Sequence, residues 1–230
     1  MEKLRVKVWD VPTRLFHWSL VVLVAAAFAS GFVGGNWIEW HGRCGLAVVG
    51  LLVFRIVWGF IGSTYARFVQ FIPGPARVLA YLRGQWHGLG HNPLGAFSVL
   101  GLLALTLFQA GSGLVADDNI SFTGPLKALV SQDTSDGLTG LHRLNVWLLG
   151  VLICLHVASI VFYALVKKHF LLPPMLTGMA ETDDLLAKPL RGGGWVAFIA
   201  AVLIAAGAVW AASGGLIQPP PPPAQEAPAW

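Results

Sequence analysis

Five stretches of this chain are apolar over lengths that cross a bilayer, and this constrains the fold before any motif is read. They cover residues 15–33, 44–61, 94–116, 138–166 and 195–212. A spanning helix needs about 20 apolar residues, and these stretches show no two-residue alternation of the kind a barrel strand carries. Backbone groups cannot go unpaired in lipid, so each stretch is expected to be helical. The composition agrees, with 56% hydrophobic and 11% charged residues and a mean hydropathy of +0.68. The predicted class is an all-α integral membrane protein. The fourth stretch is longer than a bilayer requires and should project from one surface.

The first stretch follows Lys3, Arg5, Lys7 and Arg14 and ends near Ala29-Ser30-Gly31, a pattern that a cleaved leader could share. Its spanning length and the polar His17 near its start read instead as a retained first helix. Most of the 15 Lys and Arg then fall on the N-terminal side of the membrane, including Arg67, Arg77, Arg83, Lys167, Lys168, Lys188 and Arg191. Glu39, Asp117, Asp118, Asp133 and Asp136 gather on the other side. This predicts a cytoplasmic N-terminus and an extracytoplasmic C-terminus. The net charge of +4 thus reflects topology and no affinity for nucleic acid.

Within the fourth stretch, His142 and His156 stand fourteen residues apart. At about 100° per residue they share one helix face, and at about 1.5 Å per residue they lie about 21 Å apart in depth. They read either as ligands of two haems or as buried histidines bonded to neighbouring helices. The remaining histidines bear on that choice. His17 lies near the inner end of the first helix and His41 opens the second on the outer side, so their depths differ by roughly the same interval. Pairing by level sets His41 with His142 outside and His17 with His156 inside. Four histidines at two matching depths favour axial ligation of two b-type haems, which need two strong nitrogens each and no open coordination position.

Haem propionates need cations or donors when they are out of water. Arg43 and Arg143 adjoin the outer histidines. Arg55, inside a spanning helix, lies on the His41 face at the inner level, with Arg14 and Arg67 near it. A buried arginine is costly and has a named partner; an inner propionate is the expectation, with interfacial snorkelling as the alternative for Arg43, Arg143 and Arg67. His91, before Asn92 and Pro93, reads as a loop or helix-start residue, with a proton-handling role at a quinone site as its functional alternative. His87 shares that loop. Cys44 and Cys154 differ too much in depth to bridge. There is no Cys-x-x-Cys-His, phosphate loop or zinc-protease motif, which excludes covalent haem, nucleotide and hydrolytic readings.

A resemblance attaches to these residues. Val8-Trp9-Asp10-Val11-Pro12-Thr13-Arg14-Leu15-Phe16-His17-Trp18 is similar to the first-helix start of bacterial cytochrome b561-type proteins, a family that includes the cytochrome b subunits of nickel–iron hydrogenases. Phe54-Arg55-Ile56-Val57-Trp58-Gly59-Phe60-Ile61-Gly62-Ser63, Ala66-Arg67-Phe68 and Gly90-His91-Asn92-Pro93-Leu94-Gly95-Ala96 extend it, and Leu141-His142 and Leu155-His156-Val157 fall at helix-four histidine positions. The resemblance implies a four-helix bundle that binds two b haems and passes electrons between the quinone pool and a partner outside. His17, His142 and His156 match its ligand positions, and His41 matches by place.

The expected organisation is a di-haem four-helix bundle over residues 1–180, a linker with a peripheral fifth transmembrane helix over 181–215, and a proline-rich extracytoplasmic tail over 216–230. Expected partners are membrane lipid, quinone or quinol, and an extracytoplasmic c-type cytochrome or hydrogenase-like dehydrogenase; the alternatives to a peripheral fifth helix are packing on the bundle, association of copies, or anchoring a partner against the tail. The protein would serve as an electron carrier or as part of a quinone-dependent oxidoreductase. The competing reading is a non-catalytic membrane anchor or assembly subunit whose histidines are structural. A cation transporter would spread its histidines along one channel, whereas these fall at two levels.

Overall fold

The computed structural model describes residues 4–86, 88–182 and 190–217. Lys3, His87, Lys188 and the proline run at 219–223 lie outside the described residues. Strand β1 (Leu4–Lys7) precedes α1 (Val11–Val33) and α2 (Ile38–Ile61). Two short helices, α3 (Phe68–Phe71) and α4 (Pro75–Leu82), lead to α5 (Pro93–Leu114) and α6 (Gln132–Leu165). Then come α7 (Leu172–Thr177), β2 (Met179–Thr182) and α8 (Trp195–Trp210). Five helical segments are long and apolar enough to cross a membrane, matching the five predicted stretches, and α6 at 34 residues is the long one.

Local chemistry sets the helix boundaries. Asp10 caps α1 by accepting the Thr13 N–H at 2.6 Å, and α1 stops at Gly34, whose φ of +67° lets its N–H return to Ser30 O. Asn92 caps α5 through the Gly95 N–H at 2.7 Å, with Pro93 in the first turn, where a missing N–H costs nothing. Ser131 caps α6. His41 lies one turn inside α2, because that helix starts at Ile38 and takes Trp40 into its first turn.

Close packing runs from α1 to α2, α2 to α5 and α5 to α6. Between α1 and α6 there is no such interface, only isolated contacts such as Phe32 against Trp147. Few side chains are buried. Leu141, Leu144, Trp147, Leu148, Val151 and Leu155 of α6 are exposed, as suits a helix whose outer face meets lipid.

Two features differ from the sequence expectation. The fifth helix is not peripheral: α8 packs along α2, with Ala201 and Ala205 buried in one cluster with Phe16, Phe54, Trp58 and Ala66. Small residues let helices approach closely without a hydrophobic drive from water; Val209 packs where a side chain on Gly50 would stand. The chain ends of the bundle are also tied, since β1 pairs antiparallel with β2 from Leu4–Thr182 to Lys7–Met179. Four-residue strands so far apart in sequence carry no local periodicity to announce them. The end bearing this sheet is called inner below.

Candidate haem sites

At the outer end, α1, α2, α5 and α6 enclose a cavity of about 830 Å³, into which His41 and His142 both project. Their ring centroids are 6.0 Å apart and the planes cross at 80°. A metal held between two imidazole nitrogens sits about 2 Å from each, so with half a ring on either side a centroid separation near 6 Å is what shared ligation requires.

The hydrogen bonds fix which nitrogen faces inward. His41 Nδ1 lies 2.8 Å from Ala27 O; a carbonyl only accepts, so Nδ1 carries the proton and Nε2 keeps its lone pair. His142 Nδ1 lies 3.1 Å from Ser112 Oγ, and the Ser112 hydroxyl donates to Phe108 O at 2.7 Å, leaving its oxygen to accept from His142. Both rings are therefore held as metal-ligating histidines usually are, by an acceptor at the other nitrogen. Glycines make the room: a Cβ on Gly31 would stand 2.8 Å from His41 Nδ1, and one on Gly113 3.1 Å from His142 Cε1. Gly45 faces open cavity.

The outer rim has its own construction. Phe122, from the loop after α5, closes over Gly42. Asp118 orders that loop by accepting the N–H groups of Ile120, Ser121 and Phe122 at 2.8–2.9 Å. These bonds, that of Phe122 foremost, hold the Asp118 carboxyl below its ordinary range. Arg43 and Arg143 both line the cavity. Arg43 is already engaged, with Glu39 at 2.6 Å and over Trp40 at 5.1 Å, whereas Arg143 has no such bond among the described residues.

At the inner end, His17 and His156 lie within electrostatic range of each other. The six buried side-chain polar atoms that lack a hydrogen-bond partner among the described residues all belong to this end: Thr13 Oγ1, Arg14 Nε, His17 Nδ1, Arg55 Nη1, Arg67 Nε and His91 Nδ1. Arg55 is 3% exposed and lies over the rings of Phe68 and Phe71 at 4.9 and 5.6 Å. Arg14 spends one nitrogen on Leu176 O. Buried donors of this kind call for an acceptor, and three guanidinium groups beside two imidazoles suit a group that brings carboxylates. The residues present thus fit haem at both levels.

His91 packs between Trp9 (centroids 4.7 Å apart) and Phe71 (5.1 Å). Burial, reinforced by the Arg55 charge, pushes its imidazole down to about 3, so the ring is neutral at physiological pH. It also lines a second, inner cavity of about 450 Å³ with Gln70, Arg77, Gln85 and Trp86. Beside it, Asn92 Nδ2 donates to the Tyr163 hydroxyl at 3.0 Å, which in turn meets Tyr81.

Several contributors are absent from the sequence reading. Asp10 is buried and, besides its capping bond, accepts from Trp58 Nε1 at 3.0 Å and from Ser63 Oγ. It thereby joins the first two motifs of the resemblance in space. Its place just before Pro12 and Thr13 suits a cap, but nothing local in the sequence points to the other two bonds. Ser112 and the Asn145–Gln109 bond at 2.7 Å, which ties α6 to α5, carry no signal beyond being polar within apolar helices.

The fold defines a multi-pass helical membrane protein, and the histidines and arginines of its interior fit imidazole-ligated haem. The family model for prokaryotic cytochrome b561 matches residues 8–178, and the chain belongs to that family. Membership makes it a membrane b-type cytochrome and implies haem b and electron transfer. Similar proteins include a probable Ni/Fe-hydrogenase 1 B-type cytochrome subunit of Escherichia coli K12, 21% identical over 65% of this chain and 80% of its own. Probable Ni/Fe-hydrogenase B-type cytochrome subunits of Azotobacter chroococcum (25% identical, 78% and 90% covered) and Bradyrhizobium diazoefficiens (23%, 78% and 87%) are others. No solved structure matches the chain.

Proposed function

We propose that this cytochrome holds two b haems, one between His41 and His142 and one between His17 and His156, and carries electrons across the bacterial cytoplasmic membrane. The observation that carries this reading is the opposition of His41 and His142 at 6.0 Å, with Nε2 of each left free. Haem supplies one-electron exchange when bound; the chain supplies axial nitrogens, excludes water and balances the propionates. Arg55, Arg14 and Arg67 serve the inner propionates, and Arg143 with Arg43 the outer ones. The N-terminus is cytoplasmic. Quinone or quinol is the inner substrate, with His91 and its cavity as the headgroup site. The outer partner is a hydrogenase-like dehydrogenase, supported by the names of the relatives, with a c-type cytochrome as the second choice.

The test is haem stoichiometry and spectrum of the purified protein, with H142A and H156A. Two haems per chain, each variant retaining one, is the expected result. One haem per chain overturns the paired reading. A colourless protein overturns haem binding altogether and leaves the anchor reading in place.

A further inference from the structure

The two histidine pairs are held differently, and the difference has an electrochemical sense. Outside, both Nδ1 atoms are bonded, His41 to a backbone carbonyl and His142 to Ser112, which is 4% exposed. The Ser112 hydroxyl spends its proton on Phe108 O and shares Gln109 O at 3.2 Å, so a lone pair is turned to the ring. Inside, His17 Nδ1 is buried without a partner among the described residues, and Arg14, Arg55 and Arg67 each bury a nitrogen unpaired among them at that end. An imidazole that donates from its second nitrogen is a more basic ligand and favours ferric iron. Buried positive charge has the opposite effect, since it disfavours the form with the extra positive charge.

We propose that Ser112 is a positioning residue for the outer haem: by accepting from His142 Nδ1 it fixes the ring and holds that haem as the lower-potential one of the two. Electrons entering at the outer face would then move downhill towards the inner site. The inference rests on the two-haem reading above, which the same experiment checks separately.

The experiment is a spectroelectrochemical titration of the holoprotein, with haem content and low-temperature electron paramagnetic resonance, for wild type, Ser112→Ala and Ser112→Thr. Wild type should show two waves. In S112A the lower wave should shift upward, its low-spin ferric signal should change, and the upper wave should stay in place. S112T, which restores a hydroxyl, should return the lower wave towards its original position. The carbonyl of Gln109 also faces His142, so S112A is expected to keep its haem. If it does not, Ser112→Cys replaces it: a weak acceptor there must shift the lower wave upward relative to S112T, and coincident waves overturn the proposal. A full-haem S112A with an unmoved lower wave, or one in which only the upper wave moves, also overturns it. A wild type with fewer than two haems defeats the underlying reading instead.

Discussion

Replacing Asp10 by alanine should unfasten the inner end of the bundle. The carboxylate accepts three bonds: the Thr13 N–H of its own helix, the indole N–H of Trp58 and the Ser63 hydroxyl. Loss of an N-cap costs about 0.5–2 kcal/mol. Each buried donor left unpaired costs about 1–3 kcal/mol, but the Ser63 hydroxyl can rotate to another acceptor, so only Trp58 is counted fully. The sum is about 1.5–5 kcal/mol, before any loss of the opposing charge that Asp10 presents to buried Arg55. Asp10→Asn should cost about half as much, because its carbonyl oxygen can still cap α1 while Ser63 can accept from the new amide. Trp58 has no such freedom. The assay is equilibrium unfolding in mixed detergent micelles, with loss of each of the two proposed haems followed by its own absorption band. His17 lies two turns beyond Asp10 on α1, so the inner haem should be released first and the outer one later. If D10A unfolds within about 0.5 kcal/mol of wild type, or if D10N and D10A are equally impaired, the carboxylate is not the clamp.

The other predictions follow from single contacts and, where they name an inner or outer haem, from the two-haem proposal. Gly31→Ala would place a Cβ 2.8 Å from His41 Nδ1, displacing the ring from Ala27 O; outer-haem occupancy should fall while the inner haem is retained, as read by haem content and potentiometry. Arg55→Leu should weaken retention of the inner haem alone, and Arg55→Lys should restore it only in part, because a lysine keeps the charge but loses the planar fork and its stacking on Phe68 and Phe71. Asp118→Ala should loosen the outer loop, seen as faster amide exchange at Ile120, Ser121 and Phe122. The folded carboxyl titrates below its unfolded value, so its support is present above the ordinary carboxylate range and is lost as pH falls through the folded value. Wild type should therefore approach the variant only at strongly acidic pH.

What the sequence made legible was depth. Helix spans follow from apolar length, and a residue's level in the bilayer follows from its count along a helix, so His41 and His142 could be matched before any neighbour was known. Lateral relations were not legible in the same way. The packing of α8 on α2 depends on Ala201 and Ala205 meeting Phe54 and Trp58, and an alanine stripe in a lipid-compatible helix looks alike whether or not it has a partner. The β1–β2 pair joins, at one end of the bundle, segments that precede α1 and follow α6 in sequence, so no local pattern announces it.

The same distinction explains which site residues were missed. A histidine or arginine inside an apolar span is costly enough to announce itself, and all four proposed ligands and Arg55 did. Ser112, Ala27 and Asn145 did not. A serine hydroxyl can return its proton to its own helix, as Ser30 does to Ala26 O at 2.6 Å, and Ser112 makes the same bond to Phe108 O. Only the approach of His142 distinguishes the two, and that approach is set by how α5 and α6 are rotated against each other. Ser112 and the Ala27 carbonyl, which hold the proposed ligands, were thus hidden because each is also satisfied within its own helix, and Asn145 because its partners lie on α5; these partnerships arise from packing, and it is there that two otherwise similar histidine pairs become different.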